Sequence, residues 1–313
     1  MTFDEFMRSC GILPPDLMES GKWIRCATET HPRKKNAAVK LADDGRIGWV
    51  QNFETGLETW RANEDSKPQP IDHAAINARR HARAEEARQA TEGAKRAYNA
   101  AKPLSGVHGY LEAKGLDATG CYGLRVDRQG WLVVPMFVAN EISSIQRIDP
   151  TGDKRFWPGA RTKGAIYNLQ RQGAVITLLC EGLATGLTLF SALPNCRVIV
   201  TFNSGNLVHI ADLIKPSGLC AVCADNDKAT EAKTGTNPGL KAGKEAAALL
   251  GCGLAYPDCE GTDFNDAEQE FLKEERQLRM FDKGFKRTEA TMKKNAHAKI
   301  RGLIMPKLKF VTQ

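Results

Sequence analysis

The sequence predicts an α/β protein: a parallel sheet with flanking helices, preceded by a small mixed α+β basic subdomain and an N-terminal β-rich module. Three observations predict this. Apolar runs at 174–180, 197–202 and 218–224 alternate with helix-like segments at 183–193, 206–214 and 239–250, and such alternation implies a parallel sheet covered by helices. Residues 1–67 and 103–170 consist instead of short strand-like runs broken by turn residues. Acidic residues cluster just past the ends of the later apolar runs, where parallel sheets gather their ligands.

Taken in order, residues 1–67 hold the strand-like runs Gly21–Cys26, Ala37–Leu41 and Ile47–Phe53. Asp43-Asp44-Gly45-Arg46 between two of them is a hairpin signal. Asn63–Pro70 is polar with two prolines and reads as a linker. Residues 68–102 form a helical linker, rich in Ala, Arg and Glu with a thin apolar stripe. It reads either as a solvated connector or as a helix that turns Arg79, Arg80, Arg83 and Arg88 to nucleic acid. Within 103–170, Trp131–Val138 suits a buried strand, and Ile142–Ile148 alternates as a half-exposed strand should. Arg155–Gly159 and Ala165–Leu169 follow. Residues 171–282 carry the alternating β and α pattern, ending with a short strand at Gly253–Tyr256 and a helix from about Ala267. Residues 283–313 are a basic tail.

Composition narrows the function classes. The 313 residues are 42% apolar and 26% charged, ordinary for a globular chain and incompatible with collagen or wholesale disorder. Mean hydropathy is −0.38 with no apolar run near membrane-spanning length. The first residues carry acids and no long apolar core, which argues against a signal peptide. Nine scattered cysteines fit free thiols in a reducing, cytoplasmic setting rather than a disulfide framework. Cys220 and Cys223 form a CxxC, but strand positions i and i+3 face opposite ways, and no second pair follows at ribbon spacing. No zinc is expected. The net charge of +7 is uneven. Residues 283–313 carry nine basic residues against Glu289, whereas 171–282 carry ten basic and fifteen acidic residues.

Three acidic signals stand out. Glu181 follows the apolar run at 174–180, Asp225 and Asp227 follow the run at 218–224, and Asp263 and Asp266 follow the short strand. Parallel strands bring such ends to one rim. Clustered carboxylates repel unless a hard cation sits among them, and Mg²⁺ takes oxygen ligands, one or two of them carboxylates, plus substrate phosphates. Taken singly, each acid also suits a loop or a helix cap, and Asp266 is an N-cap candidate.

The runs CEGLATGLTLFSAL, VTFNSGN, CADND and GTDFNDA together resemble the Toprim domain, particularly that of phage- and plasmid-encoded primases related to bacterial replicative primases. The resemblance spans about 171–280 and implies a Toprim parallel sheet. It also implies that Glu181, Asp225 and Asp227 hold Mg²⁺ or Mn²⁺, with Asp263 and Asp266 as further candidates. Toprim domains also occur in topoisomerases and nucleases, so the fold does not fix the reaction. The upstream segment, with Pro135, Arg147, Lys154-Arg155-Phe156, Lys163-Gly164 and Tyr167, resembles the basic subdomain of bacterial replicative primases, and HGYLEAKGLD at 108–117 resembles plasmid primases. That resemblance implies a nucleotidyltransferase: Mg²⁺-dependent, template-directed synthesis of short primers from nucleoside triphosphates on single-stranded DNA, in phage or plasmid replication.

The chemistry agrees. A 3′-OH attacks an α-phosphate, metal ions stabilise the oxygens that gain charge, and cations neutralise the triphosphate. The expected catalytic set is Glu181, Asp225, Asp227 and Lys163. Arg147, Arg155, Lys154, Asn203 and Lys228 are candidates for nucleotide phosphate; helix capping serves Asn203, and simple exposure Lys228, equally well. The segment GKWIRCATE…GRIGWVQNFETGLETW resembles the metal-free β module ahead of some mobile-element primases. There Lys22, Trp23, Arg25, Trp49 and Trp60 either face single-stranded template or, for the tryptophans, fill a core. In the tail, Lys293, Lys294, Lys299 and Arg301 bind DNA or a partner, or are merely solvated. No helicase motif follows, so a replicative helicase or polymerase is expected as a separate partner, and no membrane. A topoisomerase would need a cleavage domain this chain lacks, and an ATPase-linked nuclease would need a GxxxxGKS/T loop, which is missing. Two alternatives stay open: a non-catalytic nucleic-acid-binding replication accessory, and a Toprim metal-dependent nuclease.

Overall fold

The computed structural model describes residues 1–16, 18–62, 73–118, 121, 123–259, 261–281 and 288–312. The expected linker at 63–70 and the basic residues Lys283, Lys286 and Arg287 lie outside the described residues, as do the side chains of Arg79 and Arg80. The chain forms two compact units, 1–85 and 86–313.

The first unit starts with a helix the sequence reading did not anticipate, α1 (Phe3–Ser9), closed by a capping box between Thr2 and Glu5. Strands β1 (Ile24–Cys26), β2 (Ala37–Leu41), β3 (Ile47–Asn52) and β4 (Gly56–Arg61) form one antiparallel sheet in that order. α1 covers one face, burying Phe3 and Met7 with Val39, Val50 and Trp60. Gly48 is needed beneath it, because a Cβ there would run into the Phe3 ring. Trp60, one of the tryptophans proposed for template, is only 9% exposed; it packs on Phe3 at 5.4 Å and donates to the Met1 carbonyl. It belongs to the core because the strand period of two puts it on the face that α1 covers.

α2 (His73–Ala100) links the units. In the second unit, β5 (Lys102–Pro103), β6 (Arg125–Val126), β7 (Leu132–Val138), β8 (Glu141–Ile148) and β9 (Lys154–Phe156) make a five-stranded antiparallel sheet. The short helix α3 (Gly109–Ala113) supplies the α element of this mixed α+β subdomain. β8 is buried from Ser143 to Gln146 rather than half exposed. Both faces of its sheet are covered: Val133 and Ile145 pack on Ala94 and Tyr98 of α2, while Leu132, Val134 and Ile148 join the main core.

The third sheet runs β10 (Tyr167–Gln170), β12 (Cys196–Val200), β11 (Ile176–Cys180), β13 (Gly218–Cys223), β14 (Gly253–Ala255). β11 to β14 are parallel, as the sequence predicts, while β10 is an antiparallel edge. Helices α4 (Leu183–Ala192), α5 (Ser204–Leu213), α6 (Lys228–Thr234), α7 (Pro238–Leu250) and α8 (Phe264–Phe281) follow the strands. Cys223 and Cys220 enter the cores on opposite faces of this sheet, as their spacing requires. All nine cysteines are free thiols.

The last segment is part of the same unit. α9 (Glu289–Ile304) buries Met292, Ala296, Ile300 and Ile304, and β15 (Lys309–Val311) pairs antiparallel with β13. Its charges had hidden a spaced apolar stripe. Likewise β10, placed by sequence in the upstream subdomain, completes the parallel sheet, and a bridge between Phe137 and Ile166 joins the two sheets over one continuous core. Among the described residues no helix is long and apolar enough to cross a membrane.

Candidate carboxylate site

Glu181, Asp225 and Asp227 leave the carboxyl ends of β11 and β13, neighbours in register from Ile176 with Leu219 to Cys180 with Cys223. Register alone therefore sets Glu181 beside the Asp225 segment. Asp225 feels Asp263, Glu181 and Asp227, and Glu181 feels Asp227. Burial, then Asp263, Glu181 and Asp227, raise the Asp225 carboxyl from its ordinary 3.8 to about 8, with Lys154 opposing. Burial and Asp227 likewise push Glu181 up, against Lys154 and a hydrogen bond from the Ser204 N–H. Asp225 Oδ1 is buried with no hydrogen-bond partner.

Asp227 is held from behind. Its Oδ2 accepts the Gly239 N–H at 3.1 Å, at the start of α7. A Cβ on Gly239 would sit 2.5 Å from the Asp225 carbonyl oxygen and 3.0 Å from Asp227 Oδ2, so only glycine fits against the two acids. Asn237 steadies the same loop, accepting from the Asp227 N–H and donating to Asn226 Oδ1 and Glu231.

Asp263 and Asp266 divide their tasks. Asp263 stands directly before α8, and its Oδ1 accepts the N–H groups of Asn265 and Asp266. It therefore caps the helix, the role expected of Asp266. Asp266 reaches back to the Thr262 N–H at 2.9 Å and pairs with Lys114 at 3.0 Å. Burial pushes Asp266 up, but the Thr262 amide and Lys114 outweigh it and hold the carboxyl below its ordinary range. Asp263 is raised, by burial first and then by Asp266.

The strand period sorts the cations. In β9, Lys154 lies opposite Ile148 and Phe156 opposite Gln146, while Arg155 lies opposite Arg147. Lys154 and Phe156 thus share one face of the sheet: Lys154 acts on Glu181 and Asp225, and Phe156 meets Phe202 edge-on at 6.5 Å. Arg147 and Arg155 share the other face, against Trp131 at 4.6 and 5.2 Å. Arg147 is also bound to Asp127 (2.6 Å) and Gln129, and Arg155 to Asp153. Lys163 is exposed, in a turn fixed by Asn206: Oδ1 accepts the Gly164 N–H at 2.7 Å. Asn203 Oδ1 caps α5 through the Asn206 N–H. Lys228 is paired with Asp258 and the Cys259 carbonyl.

The residues expected to touch DNA belong to both units. Lys22 pairs with Glu19, and Arg25 stacks over Phe53 at 4.4 Å. Lys293 donates to the Gly115 carbonyl, Lys299 pairs with Glu274, and Arg301 donates to the Ala192 carbonyl at 2.8 Å, while Lys294 is exposed. Sequence reasoning missed Asn206, Lys114 and Tyr110 as site neighbours. Tyr110 carries Lys154 over its ring at 5.8 Å and has a buried, unpartnered hydroxyl. The 108–117 run that contains Tyr110 and Lys114 was the available signal.

The donor set fits a hard cation: all oxygen, negatively charged, with one buried carboxylate oxygen unpartnered. Among the described residues no three His, Cys, Asp or Glu side chains are grouped so as to hold a metal ion.

Residues 176–274 match the family profile described as Toprim domain. Among solved structures, the chain is similar to that of the bacteriophage T7 lagging-strand DNA polymerase interacting with primase domains bound to an RNA/DNA hybrid and dTTP. That match has 14% identity and a TM-score of 0.39, covering 58% of this chain and 91% of that one. It is also similar to the primase fragment of the bacteriophage T7 primase-helicase protein, at 14% identity and a TM-score of 0.39, covering 57% of this chain and 79% of that one. No curated protein matches.

Proposed function

We propose that this chain, whose residues 176–274 are a Toprim domain, is a DNA primase: a Mg²⁺-dependent nucleotidyltransferase that makes short primers from nucleoside triphosphates on single-stranded DNA. The observation that carries the reading is the electrostatic convergence of Glu181, Asp225, Asp227 and Asp263 on one rim, with Lys154 of the neighbouring sheet set against them.

Glu181, Asp225 and Asp227 would hold Mg²⁺; bound there, the ion would offset their mutual repulsion and stabilise charge on phosphate oxygens. Lys154 supplies a point charge beside the rim, suited to a triphosphate. Lys163 carries a second, on a turn whose backbone Asn206 fixes, so its approach is set before substrate arrives. Ser204 donates its N–H to Glu181 and orients that carboxylate. Asp263 and Asp266 act mainly by shaping the α8 start, and the Asp263 charge adds to the field on Asp225. The product supports replication of a phage or plasmid, with a separate helicase or polymerase as partner, the polymerase extending the primer 3′-OH.

The test is de novo synthesis with labelled nucleoside triphosphates and Mg²⁺ on a panel of short single-stranded templates. Primers are expected from the wild type and not from Asp225→Asn. Retained synthesis in Asp225→Asn would overturn the site. Shortening of labelled DNA without nucleotides, and no synthesis, would assign the rim to a nuclease instead.

A further inference from the structure

β13 gives its first half, Gly218–Cys220, to β15 and its second half, Ala221–Cys223, to β14. Cys220 is the last residue of the first half, and Cys252 directly precedes β14. The parallel register of Ala221 with Gly253 therefore sets Cys220 beside Cys252. Period two turns Cys220 to the face of the sheet away from Cys223. Among the nine cysteines, Cys220 and Cys252 alone join the core on that face. Neighbouring strands lie about 4.8 Å apart, inside the range of Cα separations that a disulfide spans.

The two sulfurs are unequal. Hydrogen bonding between them is the largest influence on each thiol, and it raises Cys220 while lowering Cys252. Burial adds to the rise at Cys220. At Cys252 burial opposes the fall, while the Val222 and Cys252 backbone N–H groups and the Lys309 charge assist it. Lys309 stands opposite Cys220 in the register of β15 on β13. Cys252 is 5% exposed and Cys220 not at all. The sulfur with more thiolate character is thus also the one nearer solvent, which is the division between an attacking and a resolving cysteine.

We propose that Cys220 and Cys252 are a redox pair, in which a peroxide oxidises Cys252 and Cys220 then closes a reversible disulfide. The Cys252 sulfur attacks the peroxide and breaks its O–O bond. One oxygen stays on sulfur as the sulfenic acid, and the other leaves as hydroxide. The Cys220 sulfur attacks the Cys252 sulfur, the S–O bond breaks, and the oxygen leaves as water with the Cys220 proton. Two electrons pass from the sulfurs to the peroxide. β14 and β15 are three residues each, and local opening of so short an edge admits an oxidant little larger than water. The bridge closes a loop that contains Asp225, Asp227, α6 and α7, and so fastens the segment bearing both acids.

The inference is independent of the primase reading, and its test reads no synthesis. The reduced full chain is treated with hydrogen peroxide, blocked with N-ethylmaleimide, digested and mapped by mass spectrometry without reductant. A peptide linked between Cys220 and Cys252 is expected, assigned by fragmentation because Cys223 is close by, and it is expected to vanish with dithiothreitol. In Cys220→Ala, dimedone is expected to trap a sulfenic acid at Cys252. In Cys252→Ala, trapping at Cys220 is expected to be at least about tenfold weaker. The wild-type map decides the pairing even where a variant fails to fold. Absence of the link at a peroxide dose that oxidises the half-buried Cys259 overturns the pair. Linkage of Cys252 to Cys223 in equal yield, or stronger trapping at Cys220 than at Cys252, overturns it as well.

Discussion

Asn206 holds Gly164 by its backbone: the Asn206 Oδ1 accepts the Gly164 N–H at 2.7 Å, while its Nδ2 donates to the carbonyls of Ala165 and Thr201 at 2.7 and 2.8 Å. One buried amide thus ties the turn bearing Lys163 to the end of β12. Asn206→Ala removes three hydrogen bonds and strands buried backbone groups, so a loss of about 2–4 kcal/mol is expected. Chemical denaturation measures it. Asn206→Asp keeps the acceptor for Gly164 but turns a carboxylate oxygen on the Ala165 and Thr201 carbonyls, and is expected to cost at least as much.

Asp225→Asn removes a buried carboxyl whose ionisation burial and the neighbouring carboxylates oppose. Without metal the variant is expected to melt higher than the wild type, by about 1–2 kcal/mol of stability, while losing synthesis by at least about a hundredfold. A lower melting temperature in EDTA would mean that the repulsion described at the rim does not operate.

The same carboxyl gives a pH signature. Unfolded, Asp225 ionises near 3.8; folded, it holds its proton to about 8. Between about pH 4 and pH 8 the folded chain therefore binds the extra proton, and this group makes stability fall as pH rises through that window. A bound cation competes with that proton. The gain in melting temperature on adding Mg²⁺ is expected to be larger at pH 8.5 than at pH 6, and a gain independent of pH would contradict it.

α9 is docked through a buried polar chain. Glu268, 1% exposed, accepts from Thr188 of α4 at 3.1 Å and pairs with His297 of α9 at 2.8 Å. Glu268→Ala is expected to cost about 3 kcal/mol by leaving His297 without its carboxylate and Thr188 with only the Asn265 amide. Deleting the chain from Thr288 onward removes Met292, Ala296, Ile300 and Ile304 and uncovers the apolar residues they cover, Leu272 among them, and is expected to unfold the second unit rather than merely lower its charge. Circular dichroism separates the outcomes. The contribution of the exposed Lys294 to DNA affinity is then read from Lys294→Glu, which leaves the packing intact.

Gly239→Ala is expected to destabilise by about 1–3 kcal/mol, because a Cβ has no room between the Asp225 carbonyl and the Asp227 carboxylate. The same change is expected to weaken synthesis through Asp227. Full activity with a lowered melting point would separate the fold's need for this glycine from the site's.

The sequence by itself determined the parallel sheet and its acidic rim. Apolar runs of strand length alternating with helices imply a parallel sheet, and parallel strands put Glu181 and Asp225 on one rim; that their strands are neighbours was decided by the tertiary structure. It also determined that Cys220 and Cys223 part to opposite faces, since period two is local. Pairing partners are another matter, because they depend on contacts distant in sequence. Nothing in Tyr167–Gln170 says that it pairs with β12 rather than with β7, and the charges of 283–313 mask the four buried residues that make α9 part of the core. The same limit divided the cations: Arg147, Lys154 and Arg155 are alike in type and close in sequence, and only the register of β9 on β8 decided that Lys154 faces the carboxylates while the two arginines meet at Trp131. A side chain's type is written locally, but the face it occupies is fixed by which strand lies beside it.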